Sequence, residues 1–171
     1  MVVRAQLPSW ERIDPQAPTG TIAAIAVNPA STDRILVASD PTGTWDDLSG
    51  GGVLGWSFHI GQQPNVHITG ATHGQNAAYA LSEQGHVSRT TNGGASWDVN
   101  DCQHFFARAL AVRPGNDGYL LRGGDGFVDY APTYAPTAPG VQCSTNPWIS
   151  ASNVPSDTLV TDIEFAPISS T

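Results

Sequence analysis

An all-β chain assembled from repeated four-stranded units is what this sequence predicts, and three observations carry the prediction. The 171 residues include 18 Gly and 13 Pro, which break helices and end strands. No ten-residue stretch keeps apolar side chains at i, i+3, i+4 and i+7, the spacing by which a helix buries one face. Four of the five tryptophans recur as Trp10, Trp56, Trp97 and Trp148, spaced 46, 41 and 51 residues apart. A period of that length marks a repeat architecture.

Each element of the repeat has its own sequence reason. Ten or eleven residues after each Trp a strand begins, near Thr21, Val66, Ala107 and Leu159. Three of these strands end alike, as Ile25-Ala26-Val27-Asn28-Pro29, Leu110-Ala111-Val112-Arg113-Pro114 and Ile163-Glu164-Phe165-Ala166-Pro167. Proline stops the strand because it has no N–H to give to a ladder. Turn residues follow, in Pro29-Ala30-Ser31-Thr32-Asp33 and Pro114-Gly115-Asn116-Asp117. Second strands then read as Ile35-Leu36-Val37-Ala38-Ser39, Ala78-Tyr79-Ala80-Leu81-Ser82 and Tyr119-Leu120-Leu121-Arg122-Gly123. Third strands fall at 44–47, 86–91 and 127–130, and the next Trp opens the fourth.

Four short strands in 40 to 50 residues make one blade of a β-propeller. The fold class is therefore all-β, with propeller blades of four antiparallel strands at about 21–60, 66–101 and 107–152. An outer strand of a preceding blade is expected at 10–13 and the inner strand of a following one at 159–167. Inner strands should be apolar or small on both faces, because neighbouring blades press on each side, and Thr21-Ile22-Ala23-Ala24-Ile25-Ala26-Val27 has that character. Propellers close with at least four blades and usually six to eight. About three blades plus flanking strands make an incomplete ring. The missing blades would come from the rest of a longer chain, from copies of this one, or from a partner protein.

Charge narrows the function classes. The net charge is −8, with seven basic residues, all arginine, against fifteen acidic ones. An acidic surface repels phosphate backbones, so nucleic acid is not an expected partner. No apolar run approaches the 18 residues of a membrane-spanning helix. The start, Met1-Val2-Val3-Arg4-Ala5, lacks the basic and apolar regions of a signal peptide. Of the locations that leaves, cytoplasmic or beyond the membrane after loss of a leader, the expectation is extracellular or periplasmic, in a bacterium of high-GC coding bias.

Within the second unit, Thr90-Thr91-Asn92-Gly93-Gly94-Ala95-Ser96-Trp97 resembles the Asp-box of BNR-repeat propellers, whose pattern is Ser/Thr-x-Asp-x-Gly-x-Thr-Trp. Thr90, Gly94 and Trp97 match, while Asn92 stands for Asp and Ser96 for Thr. That box recurs in sialidases, xyloglucanase-type glycoside hydrolases, sortilin-type receptors and the photosystem II assembly propeller. Its expected role here is structural. The Asn92 side chain would accept backbone N–H groups of the turn, a glycine would take a left-handed φ, and Trp97 would bury its ring between blades. In the resembling families the box lies opposite the ligand face. Strand order assigns to that ligand face residues 14–20, 40–43, 61–63, 83–85, 100–104 and 123–126.

Asp101, His104 and Asp125 are the binding candidates on those loops. Asp40 follows strand two as the catalytic base does in xyloglucanase-type hydrolases, and Asp125 holds the equivalent place two blades later. An inverting glycosidase needs two carboxylates about 6.5–9.5 Å apart, so Asp40 and Asp125 are the weak catalytic candidates, against the turn-forming role usual for Asp at hairpin tips. Arg108 and Arg122 read as neutralisers of nearby acids rather than members of a sialidase arginine triad. His59, His67, His73, His86 and His104 lack metal-ligand spacing, and no metal or cofactor is expected. Cys102 and Cys143, the only cysteines, are a candidate disulfide. The expected function is a non-catalytic binding or scaffold segment with a glycan or protein ligand. The alternatives are a fragment of a xyloglucanase-type hydrolase using Asp40, and a structural component tiling into a larger complex.

Overall fold

The computed structural model describes residues 21–40, 43–47, 56–59, 68–92, 96–100, 102, 104–136 and 147–166. They form three four-stranded antiparallel sheets. The first is β1 (Thr21–Asn28), β2 (Ser31–Asp40), β3 (Gly43–Asp47) and β4 (Trp56–His59). The second is β5 (Ile68–His73), β6 (Ala78–Ser82), β7 (Val87–Thr90) and β8 (Asp98–Asn100). The third is β9 (Ala107–Arg113), β10 (Asn116–Gly124), β11 (Phe127–Ala131) and β12 (Ile149–Ser150). In each sheet spatial order follows chain order, as in a meander whose short connections leave no other neighbour. The first strands β1, β5 and β9 pack side by side, so they are the inner strands, and the sheets are blades around one axis. No ring closes among the described residues.

Among the described side chains, packing between blades is uneven. The main core lies between the second and third sheets, where Tyr79, Leu81 and Val87 meet Leu110, Leu120, Phe127 and Trp148. A smaller cluster joins the first sheet to the second, with Ala26 and Leu36 against Ala78 and the half-buried Trp97. Tyr134 extends from the third sheet so that its hydroxyl lies 3.1 Å from both the Val87 and the Asp98 carbonyl oxygens. Its ring meets Tyr79 edge-on at 5.6 Å.

At one end of the blades, side chains tie the β5–β6 turn to the hairpins on either side. The Asn28 side chain accepts from the Ala30 N–H at 2.7 Å and donates to the Gln75 carbonyl at 3.3 Å. Asp117 in β10 accepts from the N–H groups of Gln75 and Asn76 at 2.9 and 2.6 Å. The Tyr79 hydroxyl donates to the Asp117 carbonyl. Polar side chains here replace the hydrogen bonds that a tight turn leaves unmade.

The described residues bear on two further expectations. Where an inner strand is expected at 159–167, residues 159–166 hold a single bridge, Leu159 to Asp125. A strand is defined by its partner; the Val160 N–H donates to the Gly124 carbonyl at 3.1 Å, and no further ladder for 161–166 is seen among the described residues. β1 was to be covered on both faces, yet Ile22, Ile25 and Val27 are exposed. Its sheet has a described neighbour on one side only, β5. The expected outer strand at 10–13 lies outside the described residues.

Candidate functional site

Three of the loops assigned to the ligand face meet one another among the described residues. The β6–β7 turn meets the approach to β9, with the His104 N–H donating to the Gln84 carbonyl at 3.0 Å and the Ala107 N–H to Glu83 at 3.3 Å. Gly85 has φ +84°, and a Cβ there would lie 2.5 Å from the His104 carbonyl oxygen, so only glycine permits this approach. The β10–β11 turn, Asp125 and Gly126, lies beside them, with Gly126 at φ +77°.

Beneath these loops is a buried ionic network. Arg122 and Asp129 are paired in register across β10 and β11 and are 1% and 2% exposed. The guanidinium reaches Asp129 Oδ2 from Nε and Nη2, both at 3.0 Å. Its Nη1 donates to the Gly85 and Cys102 carbonyls, each at 2.7 Å. The charge also sits 4.1 Å above the Trp148 ring, a favourable cation–π placement. Asp129 in turn receives the Ser150 hydroxyl at 2.8 Å and His104 Nδ1 at 2.8 Å. The His104 ring stacks on Phe127, with centroids 3.5 Å apart.

Burial alone would push the Asp129 carboxyl up. The hydrogen bonds from His104 and Ser150 and the charges of Arg122 and His104 outweigh it, and the pKa lies below the ordinary carboxylate value. Burial pulls Arg122 down, opposed by the charge and hydrogen bond of Asp129. One guanidinium thus ties the third sheet to a turn of the second and to the segment leading into β9. The network fixes loops.

The candidate residues fare differently. Asp125 is exposed and pairs with Arg108 of β9 at 3.2 Å, so both arginines flagged as neutralisers, Arg108 and Arg122, hold acids. His104 is half-exposed and oriented by Asp129. Asp40 ends β2 with its backbone opposite Thr21, and its side chain lies outside the described residues. Asp101, Gly94 and Cys143 lie outside them too. Cys102 is disulfide-bonded. Phe105 and Phe106, 57% and 54% exposed, project just beyond His104, with Phe106 held at φ +64°.

At the box turn, Asn92 Oδ1 accepts the Ser96 N–H at 2.9 Å and the Thr90 hydroxyl at 3.0 Å, while its Nδ2 donates to Ser96 Oγ at 2.8 Å. Trp97 packs against the small cluster between the first two sheets. Among the described residues no group of three or more His, Cys, Asp or Glu is placed to hold a metal ion, and no helix is long and apolar enough to cross a membrane.

The roles of Asp129, Ser150 and Trp148 in the network were not foreseen. The signal was present for Asp129: in Phe127-Val128-Asp129-Tyr130-Ala131 an acid occupies an inward position. A two-residue Asp-Gly turn at 125–126 sets it opposite Arg122.

A second feature lies along the inner strands. A cleft of about 370 Å³ is lined by β1, β5 and β9 and by residues 162–165.

No protein-family model and no curated protein matches the sequence. Among solved structures the chain is similar to YCF48 bound to D1 peptide, with a TM-score of 0.54 and 14% identity over 85% of this chain and 43% of that one. It is also similar to human WBSCR16, with a TM-score of 0.49 and 15% identity over 73% of this chain and 42% of that one. The chain therefore spans less than half the length of the propeller it matches, and the likeness is one of fold. It is a set of four-stranded β-propeller blades covering part of a ring.

Proposed function

We propose that this chain is a non-catalytic binding or scaffold segment of an Asp-box-type propeller, and that its loop face takes a protein peptide. The observation that carries the reading is the division of labour at that face. Four of its charged groups are engaged with one another, Arg108 with Asp125 and Arg122 with Asp129, which also holds His104. Beside Glu83, what it presents outward is the aromatic pair Phe105 and Phe106. Exposed aromatics on a fixed frame suit contact with another protein, where such side chains are the usual anchors. The propeller it resembles over 85% of its length holds a peptide in its solved structure. The disulfide at Cys102 supports a location outside the reducing cytoplasm.

The test is selection of peptides from a displayed library against the full chain, followed by titration with a Phe105→Ser/Phe106→Ser variant. Burying one large apolar side chain contributes about 1.5 kcal/mol or more, so the double variant should bind about 100-fold more weakly. Failure to select any peptide, or equal affinity for the variant, would overturn the proposal. So would hydrolysis of β-glucan oligosaccharides that Asp40→Asn abolishes.

A further inference from the structure

The segment from His104 to Phe106 runs between two turns that hold it from either side. On one side, the β6–β7 turn receives the His104 and Ala107 N–H groups on the Gln84 and Glu83 carbonyls, at 3.0 and 3.3 Å. On the other, Gly124 faces Phe106 so closely that a Cβ there would strike the Phe106 carbonyl. Phe106 sits at φ +64°, a region that bulky side chains avoid. Both blades flanking the segment are described, and both phenyl rings stay exposed between them. The backbone is clamped while the rings are left out.

Charge on the two turns is one-sided. Glu83 is exposed on the β6–β7 turn. At the β10–β11 turn, a Cβ on Gly126 would lie 2.7 Å from the Ser156 carbonyl oxygen, which sets the exposed Asp157 beside Asp125. Arg108 is paired with Asp125 at 3.2 Å. Neither Glu83 nor Asp157 has an ion-pair partner among the described residues. The other described arginine side chains are engaged elsewhere, Arg89 with Asp98 at 2.7 Å, Arg122 with Asp129, and Arg113 over the Tyr119 ring.

Exposed aromatic rings beside unneutralised carboxylates define a chemistry. A guanidinium is attracted to a phenyl face and makes paired, charge-assisted hydrogen bonds to a carboxylate. Arginine, being planar, does both where lysine offers a point charge. The long-range field acts in the same direction, because a chain of net charge −8 draws in basic partners.

We infer that the segment this face takes is cationic: an arginine of a partner protein lies over the Phe105–Phe106 pair and bonds the Glu83 carboxylate, with Asp157 adding to the attraction. The inference rests on the reading of this face as a peptide-binding surface and adds the charge of its ligand. A neutral or acidic segment would meet the same rings but leave Glu83 and Asp157 unanswered.

The probe is a fluorescein-labelled octapeptide of alternating leucine and arginine, titrated by anisotropy into the full chain at low salt. Its twin carries citrulline, the neutral isostere, in place of arginine. The arginine peptide should bind about 10-fold more tightly than the twin, the combined effect of an exposed cation–π contact and an exposed ion pair. Glu83→Gln should weaken the arginine peptide about 3-fold and leave the citrulline peptide unchanged. Glu164→Gln removes the same charge from an exposed position beside Phe165, at the Tyr119 end of the third sheet, and should change neither. Phe105→Ser/Phe106→Ser should weaken both peptides. All these positions are exposed, and thermal unfolding curves matching the parent keep folding out of the comparison. Equal affinity for the two peptides, or no binding of either, would overturn the inference, and the peptide-binding reading would still stand if library selection yields ligands. Equal weakening by Glu83→Gln and Glu164→Gln would assign the attraction to net charge and overturn the site. A library that yields no peptide at all would overturn both.

Discussion

Neutralising Asp129 is the sharpest perturbation the architecture offers. Asp129→Asn preserves shape and an acceptor for Ser150, but leaves the Arg122 charge buried without its counter-ion. Removing one partner of a buried ion pair costs about 3–5 kcal/mol. Arg122 keeps its two carbonyl acceptors at 2.7 Å and the Trp148 face at 4.1 Å, which places the expectation at the lower end, about 3 kcal/mol. Urea unfolding followed by tryptophan fluorescence reads this directly, since Trp148 touches the guanidinium. With a urea slope of about 1–3 kcal/mol/M, the midpoint should fall by roughly 1–3 M. The pH dependence is a second signature. The folded state holds the Asp129 pKa below its unfolded value, so the stabilisation is fully present above about pH 4. It is lost as pH falls through the lower folded pKa. Parent and variant should therefore differ by a constant amount from pH 5 to 7 and converge in acid. A loss under about 1 kcal/mol, below the range for a broken buried pair, or a gap that persists in strong acid, would refute the reasoning.

Three further outcomes follow from the same contacts. Burial pushes the Tyr79 phenol up to about 12, partly opposed by Arg89 and helped by Asp117. Its protonated form stabilises the fold fully below about pH 10 and loses that effect as pH rises toward 12. Ultraviolet titration should show one tyrosinate appearing near pH 12 that is absent in Tyr79→Phe. Asn92→Ala should cost about 1 kcal/mol by loss of the acceptor for the Ser96 N–H, while Asn92→Asp, which keeps that acceptor, should be nearly neutral by thermal unfolding. Gly85→Ala should cost at least about 2 kcal/mol, because its φ is left-handed and its Cβ would strike the His104 backbone. Denaturant titration of that variant near the parent midpoint would contradict the close approach of the two loops.

The blades were legible in the sequence because their signals are local. Proline after Val27-Asn28 ends β1 at Asn28, and Ala78-Tyr79-Ala80-Leu81-Ser82 reads as a buried strand and is one. The hydrogen bonds of Asn92 were legible for the same reason, since they span only residues 90–96. The Arg122–Asp129 network was only half legible. Its hairpin register is local, but Gly85, Cys102 and Ser150 enter from 20 to 37 residues away. The lone bridge at Leu159 was not legible, because apolar alternation ending in Ala-Pro describes a strand's side chains and says nothing of whether a partner lies beside it. Exposure of Ile25 and Val27 escaped for a related reason: composition fits a strand for burial, and only a neighbouring sheet delivers it.

The unequal sharing of apolar contacts has a consequence for how the molecule comes apart. Among the described residues, one cluster of twelve buried side chains welds the second and third sheets, whereas the first is joined to the second through Ala26, Leu36 and Ala78, with Ala71 and Trp97 packed against them. Cooperative units follow such boundaries. Amide protons of β1 and β2 should exchange with deuterium through a low-energy opening that leaves β6 and β10 protected, so the molecule would shed its leading sheet long before it unfolds.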